Sequence, residues 1–416
     1  MAMLSSAPSR SLSADIALLY AARALRGFGD GFAVIILPAY LSAIGCTPFQ
    51  IGVVATSALL GSALLTLGVG FFAPKHDLRN LLLVGAALVA ATGFIFPLSG
   101  ELAFILAVAF FGTINPTTGD TGVLVPLEQA MLAQGVADSE RTRAFARYSL
   151  IGALAAAAGA LAAAAPEAFV SLGIGELSAF KLMFLVYGAL GLASAVLYRR
   201  LPHVEMRERP PAKPLGPSRG VVYRLAALFS LDSFAGGLAV QSMLALWLFE
   251  RFDLSLAAAS VFFFWSSILG AFSFPVAAWL ARRIGLINTM VFTHIPSSIF
   301  LILAVFSYDL YVTLGLLLLR AALSQMDVPT RTSYVMAVVT PAERTAAASV
   351  TAVPRSLASS ISPALAGALL ATPAAGLPFV ACGVLKIIYD LALLYSFRHV
   401  RPPEEQDRVD RPRLTG

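Results

Sequence analysis

GFAVIILPAYLSAIGCTPFQIGVVATSALLGSALLTLGVGFFAP, residues 31–74, runs for 44 positions without a charged side chain. A hydrocarbon core of about 30 Å takes roughly 20 residues at 1.5 Å each, so the run is too long for one membrane helix. The interruption lies at Gly45-Cys46-Thr47-Pro48-Phe49-Gln50. Thr47 suits an N-cap, Pro48 the first helical position and Gln50 the reciprocal partner of a capping box, so a second helix is expected to begin there.

The rest of the 416-residue chain reads the same way, with 58% hydrophobic and 12% charged residues. Backbone groups in lipid must be satisfied within each segment, which leaves helices as the spanning elements. The apolar runs predict spans near 17–44, 49–73, 80–99, 102–131, 143–165, 178–198, 221–249, 255–280, 287–307, 309–336, 346–371 and 376–397. The expected fold is an all-α polytopic membrane protein of twelve transmembrane helices in two pseudo-symmetric six-helix bundles. The bundles are 1–198 and 221–398, joined by a Pro- and Arg-rich cytoplasmic linker, 199–220, and followed by a polar tail, 399–416.

Charge sets the orientation. With both termini in the cytoplasm, the loops on that side hold Lys75, Arg79, Arg141, Arg199, Arg200, Arg207, Arg209, Lys213, Arg219, Arg282, Arg283 and Arg344. The opposite loops hold Glu101, Glu167, Glu176, Glu250, Asp253 and Asp309, so the positive-inside rule favours this orientation. The net charge of +6 is dispersed over short loops, which argues against nucleic acid as a partner. Cys46 and Cys382 are too few for a disulfide framework, and the four histidines, His76, His203, His294 and His399, are scattered. No nucleotide-binding loop, zinc-hydrolase motif or nucleophile elbow is present, so neither an enzyme nor a cofactor is expected.

The two bundles share residues at an offset of 203. Tyr20 recurs as Tyr223, Pro126 as Pro329, Glu140-Arg141-Thr142 as Glu343-Arg344-Thr345, and Ala144 as Ala347. Both copies of the triplet follow a fourth span. The loop after span eight, Ala278-Trp279-Leu280-Ala281-Arg282-Arg283-Ile284-Gly285, resembles the G-x-L-A-D-R-x-G loop of the major facilitator superfamily. The counterpart after span two, Gly70 to Asn80, departs further from it. The antiporter-associated glycine-proline motif is missing from span five, which carries Gly152 to Gly159, whereas Ser362-Pro363-Ala364-Leu365-Ala366-Gly367 in span eleven is somewhat similar. The resemblance covers essentially the whole chain. It implies a substrate site at the midplane between the bundles, lined by spans one, four, seven and ten, with spans three, six, nine and twelve peripheral.

A charge at the bilayer centre costs about 2.5–3.5 kcal/mol on insertion scales, so the intramembrane polar residues are the site candidates. Arg26 and Asp30, four apart on span one, are expected to pair on one helical face. Asp120 follows Asn115-Pro116-Thr117-Thr118-Gly119, a polar break in span four. Asp232 and Gln241 lie on span seven, Trp265 on span eight, Arg320, Gln325 and Asp327 on span ten, and Arg355 on span eleven. Asp232 is the expected partner of Arg320. Glu128 reads as a solvated or loop-paired acid, Lys386 and Asp390 as a structural pair on a peripheral helix, and Trp247 as an interfacial aromatic.

These features point to a proton-coupled secondary transporter exporting a small amphipathic organic compound, of the twelve-span drug and metabolite antiporter type that the chain resembles. Asp30, Asp120 and Asp232 are its candidate proton sites. The alternatives are an importer of an organic anion using Arg320 and Arg355, and a non-transporting membrane sensor. The expected partners are a small-molecule substrate, a proton or other coupling ion, and the lipid bilayer. The expected setting is a monomer in a bacterial cytoplasmic membrane.

Overall fold

The structure, a computed structural model, describes residues 12–72, 76–117, 122–137, 140–204, 215–340 and 343–398. Among these residues every regular element is helical. In chain order they are α1 (Leu12–Ala43), α2 (Pro48–Phe72), α3 (Leu78–Ile95), α4 (Leu102–Phe111), α5 (Leu124–Gln134), α6 (Arg141–Ala162), α7 (Ala165–Ser171) and α8 (Glu176–Tyr198). There follow α9 (Arg219–Leu238), α10 (Gln241–Phe252), α11 (Leu256–Ile284), α12 (Leu286–Phe306), α13 (Leu310–Ser324), α14 (Asp327–Val338), α15 (Arg344–Leu370) and α16 (Leu377–Phe397).

The turn that divides the first apolar run forms as the sequence predicts. Thr47 N donates to Gln50 Oε1 at 2.8 Å and Gln50 N to Thr47 Oγ1 at 3.3 Å. Gly45 reverses the chain at φ +87°, a left-handed conformation that a Cβ disfavours.

Ten helical stretches among the described residues are long and apolar enough to cross a membrane. Two of the twelve expected spans fall outside that set. The fourth is divided, since α4 stops at Phe111 and α5 starts at Leu124, so neither piece has the length. The eleventh, α15, has the length at 27 residues but carries Arg355 among many Ser and Thr residues. Two further breaks have no clear signal in the sequence: α9 gives way to α10 at Ala239-Val240, and α13 to α14 at Gln325-Met326.

Packing is heaviest between α15 and both α9 and α2, between α1 and α6, and between α3 and α8, and α6 also packs against α11. The α2–α15 contact is backbone to backbone. A Cβ on Gly52 would lie 2.3 Å from Pro363 O, and one on Gly367 would lie 2.4 Å from Pro48 O. Pro363 interrupts the α15 ladder at this level, and Ala364 N donates to Thr56 Oγ1 at 2.9 Å instead. Ala257 N donates to Glu167 Oε1 at 3.2 Å, and Ser242 N to Pro116 O at 3.2 Å.

The ends of the expected linker are attached separately. Leu78 N donates to Val204 O at 2.9 Å, whereas Glu343 accepts from Gly216 N and from Ser218 Oγ. Residues 205–214 of the linker and the tail from 399 onward lie outside the described residues.

Candidate functional site

A cavity of about 310 Å³ lies among α1, α6, α9, α10, α11, α12, α13 and α16. Its volume is at the lower bound of ordinary small-molecule sites. The broken helices help to line it: Thr117 follows the end of α4, Ala239, Val240 and Gln241 come from the α9–α10 break, and Gln325 from the α13–α14 break. Irregular backbone at this depth is tolerated where it faces protein or a cavity. The charged side chains on the wall are Arg23 and Asp30 from α1, Arg320 from α13 and Lys386 from α16, with His294 from α12 beside them. A second, water-sized space touches Asp30 from its other side and is bordered by Arg26, Thr113, Asn115 and Tyr187.

Arg26 pairs with Glu128 on α5, not with Asp30. Its Nη2 lies 2.6 Å from Glu128 Oε2 and 2.8 Å from the Tyr148 hydroxyl. The hydroxyls of Tyr148 and Tyr198 also donate to Glu128. Glu128 is fully buried. A buried ion pair repays its desolvation when the remaining lone pairs are satisfied, and three donors converge on this carboxylate. Helical spacing allowed an Arg26–Asp30 contact, but Glu128 offers the acid with additional donors around it.

Asp30 therefore has no ion-pair partner among the described residues, although it is buried. The Tyr187 hydroxyl beside it donates to Thr113 O at 3.1 Å. Arg23 comes close on the same helix, its guanidinium 5.2 Å from the centre of the Tyr148 ring. Gly152 on α6 makes room for that guanidinium, since a Cβ there would lie 2.2 Å from Arg23 Nε.

On the other side of the cavity Asp232 is taken up by several cations. Lys386 Nζ is 2.7 Å from its Oδ1 and Arg331 Nη1 is 3.0 Å from its Oδ2. Arg331 also holds Asp327, at 2.5 Å. His294 completes the cluster, with Nδ1 3.1 Å from Asp390 Oδ1 and Nε2 3.1 Å from Lys386 Nζ. An ammonium group is donor only, so Nε2 accepts from Lys386 and the imidazole hydrogen sits on Nδ1, donated to Asp390. The expected Asp232–Arg320 pair is absent because two nearer cations occupy Asp232. The expected Lys386–Asp390 pair is absent because Asp390 faces His294.

Among the other sequence candidates, Gln241 and Gln325 line the cavity and Asn115 lines the smaller space. Asp327 is buried in its ion pair, and Arg355 Nε donates to Ser233 Oγ at 3.1 Å. Trp265 is 52% exposed on the outside of the bundle, so it does not contribute to the cavity. Trp247 is buried against Phe252 and Phe379, not interfacial. Asp120 lies outside the described residues.

Sequence reasoning passed over Arg23, His294, Arg331 and the cavity face of Lys386. A signal for Arg331 was present, since it stands 203 residues after Glu128 in the same register that aligns the two triplets. No local pattern marks the others, whose roles arise where separate helices meet.

The sequence model of the Major Facilitator Superfamily matches residues 19–318 and 225–414. The "Uncharacterized membrane protein YJR124C" of Saccharomyces cerevisiae is 25% identical over 430 residues, covering 92% of this chain and 94% of its own. Among solved structures, a mutant of the nucleoside transporter NupG superposes with a TM-score of 0.75 at 14% identity, over 92% of this chain and 100% of its own. A bacterial homologue of the human lysosomal transporter Spinster, inward-facing and unoccupied, superposes with a TM-score of 0.73 at 14% identity, over 94% and 98%. At these identities the superpositions report a shared fold.

Proposed function

Because the chain belongs to the major facilitator superfamily, and so is an integral membrane transporter and not an enzyme, we propose that it couples proton movement at Asp30 to passage of a small organic solute through the central cavity. One observation carries this reading: Asp30 is a buried carboxylate touching both the cavity and the water-sized space, and its expected partner Arg26 is engaged by Glu128. A buried acid without a fixed counter-charge among the described residues can exchange its proton when its access to water changes, as a firmly paired acid cannot.

In this reading residues 12–198 and 219–398 are two bundles that rock about the cavity, with α4–α5 and α15 completing the twelve spans. The contacts between them run along α2–α15, α6–α11 and α1–α10 and include Gly52–Gly367, Glu167–Ala257 and Pro116–Ser242. By the charge rule the first two lie on the outer side, which supports a cavity opened toward the cytoplasm. Export by antiport is the sense of transport we favour, from the type of family member the sequence resembles.

The test is solute flux in proteoliposomes under an imposed pH gradient. Antiport is expected to drive labelled solute into acid-inside vesicles, and Asp30→Asn to remove the dependence on the gradient. Uptake into acid-outside vesicles would instead support symport, as in the import reading. Flux indifferent to the gradient in the wild-type protein would overturn the proposal.

A further inference from the structure

The wall formed by α12, α13 and α16 carries two donor groups, on Arg320 and Ser298, that meet no side-chain partner among the described residues. Arg320 projects from the last turns of α13 and lines the cavity, and no carboxylate among the described residues lies within ion-pair distance. Its backbone carbonyl accepts from Ser297 Oγ at 3.3 Å, which fixes α13 against α12 at this level. His294, Ser297, Ser298 and Leu301 all line the cavity at i, i+3, i+4 and i+7 spacing, one face of α12.

Ser298 is the informative member of that face. Thr289 and Thr293, earlier on α12, return their hydroxyls to the carbonyls of Gly285 and Thr289. Ser298 does not: it is 2% exposed, and its Oγ meets no hydrogen-bond partner among the described residues. A buried hydroxyl left unsatisfied is costly, and this one stands beside the cavity that Arg320 lines, where a ligand would offer it an acceptor. Lys386 stands on the same wall. Two of its three N–H directions go to Asp232 and His294, and its charge is balanced from behind by Asp232.

We infer that Arg320 and Ser298 form a subsite for the carboxylate of a small organic monoanion, with the third Lys386 N–H available to the same group. This rests on the transporter reading and names its substrate class. Lys386 is held by Asp232, whereas Arg320 lines the cavity with no carboxylate within ion-pair distance among the described residues, which suits one negative group placed at Arg320. A guanidinium presents a planar fork that matches a carboxylate in bidentate geometry, and an anion there relieves the cost of holding a charge at depth. Asp30 stands on the α1 side of the same cavity, so the acid that handles the proton and the base that holds the anion are separate groups.

The test is binding without any gradient, which keeps it independent of proton coupling. The purified full chain is titrated with matched pairs of probes, hexanoate with hexanamide and benzoate with benzamide, and thermal stabilisation is read as apparent affinity. The carboxylates are expected to bind at least tenfold more tightly than the amides. Arg320→Gln is expected to abolish the preference, and Ser298→Ala to weaken the carboxylates about three- to tenfold. If Arg320→Gln does not fold, Arg320→Lys is read instead, with an intermediate preference expected because the charge remains and the fork is lost. Equal binding of acids and amides, no carboxylate-selective shift from any probe, or a preference unchanged in the Arg320 variant would overturn the subsite. Carboxylate selectivity with flux indifferent to pH would instead sink the proton-coupling reading and leave the subsite standing.

Discussion

α1 meets α5, and α9 meets α14, through buried ion pairs of opposite sense. In the first pair the arginine is on α1 and the acid on α5, Arg26 to Glu128. In the second the acid is on α9 and the arginine on α14, Asp232 to Arg331. Glu128 and Arg331 occupy the same position in the 203 register, and the position matching Arg26 is Phe229, over whose ring the Arg331 guanidinium lies at 5.5 Å. Reversing the charges leaves a different remainder on each side. Asp30 has no ion-pair partner in the first region and Arg320 none in the second, among the described residues, and both face one cavity. The closed pairs hold the helices together, and the leftover charges are the ones proposed above to meet ligand and proton.

The two closed pairs differ in redundancy, and that difference sets the largest expected effects. Glu128→Ala removes the acid that meets Arg26, so it should destabilise the protein by about 3–5 kcal/mol, the usual penalty for a buried charge stripped of its partner. Denaturant unfolding in detergent reads this directly. Lys386→Gln should cost less, about 1–3 kcal/mol, because Asp232 keeps Arg331 at 3.0 Å. Equal losses would break the distinction. The double exchange Arg26→Glu with Glu128→Arg sharpens it: recovery of at least half the Glu128→Ala loss is expected if the charge sense is interchangeable, as the second pair suggests.

Much of the fold was legible because its signals are local. The Thr47–Gln50 capping box, the helix start at Pro48 and the break around Pro116 follow from residue types a few positions apart. The breaks at Ala239-Val240 and Gln325-Met326 were not legible, since no proline stands at either place and tertiary packing decides them. The site shows the same division. The intramembrane charges singled out in the sequence left out Arg23 and Arg331, and local spacing misassigned the partners of others. Arg26–Asp30 and Lys386–Asp390 satisfy the i,i+4 rule and do not form, while Asp327–Arg331 satisfies it and does. Away from water a charge takes the partner that brings the most donors with it, and only the assembled helices reveal which one that is.

A smaller effect is expected at Gly152, which serves the first region alone. Gly152→Ala pushes a Cβ into the Arg23 guanidinium, so a loss of about 1–2 kcal/mol is expected, with Arg23 displaced from the Tyr148 ring. Unfolding midpoints measure the loss. No change would show that Arg23 has another place to go.

The smallest effect concerns the repeated triplets. Glu140 is exposed and meets Arg143 at 3.1 Å, whereas Glu343 is buried and ties down the end of the linker. Hydrogen bonds from Thr340, Ser218 and Gly216 hold the Glu343 carboxyl down at about 2. A depressed acid contributes its stability fully above the ordinary value near 4.5, and loses it as pH falls toward 2. Exchange protection of the Gly216 amide is therefore expected to be steady from neutral pH to about 4.5 and to fall below it. Glu343→Gln should flatten that profile, while Glu140→Gln should leave it unchanged.

The most direct test of the leftover-charge account compares two kinds of transport in one variant. In proteoliposomes loaded with a monocarboxylate that the protein binds, Asp30→Asn is expected to exchange labelled for unlabelled solute at equal pH but to lose accumulation driven by a pH gradient. Arg320→Gln is expected to lose both. Gradient-driven accumulation that survives in Asp30→Asn would contradict the account.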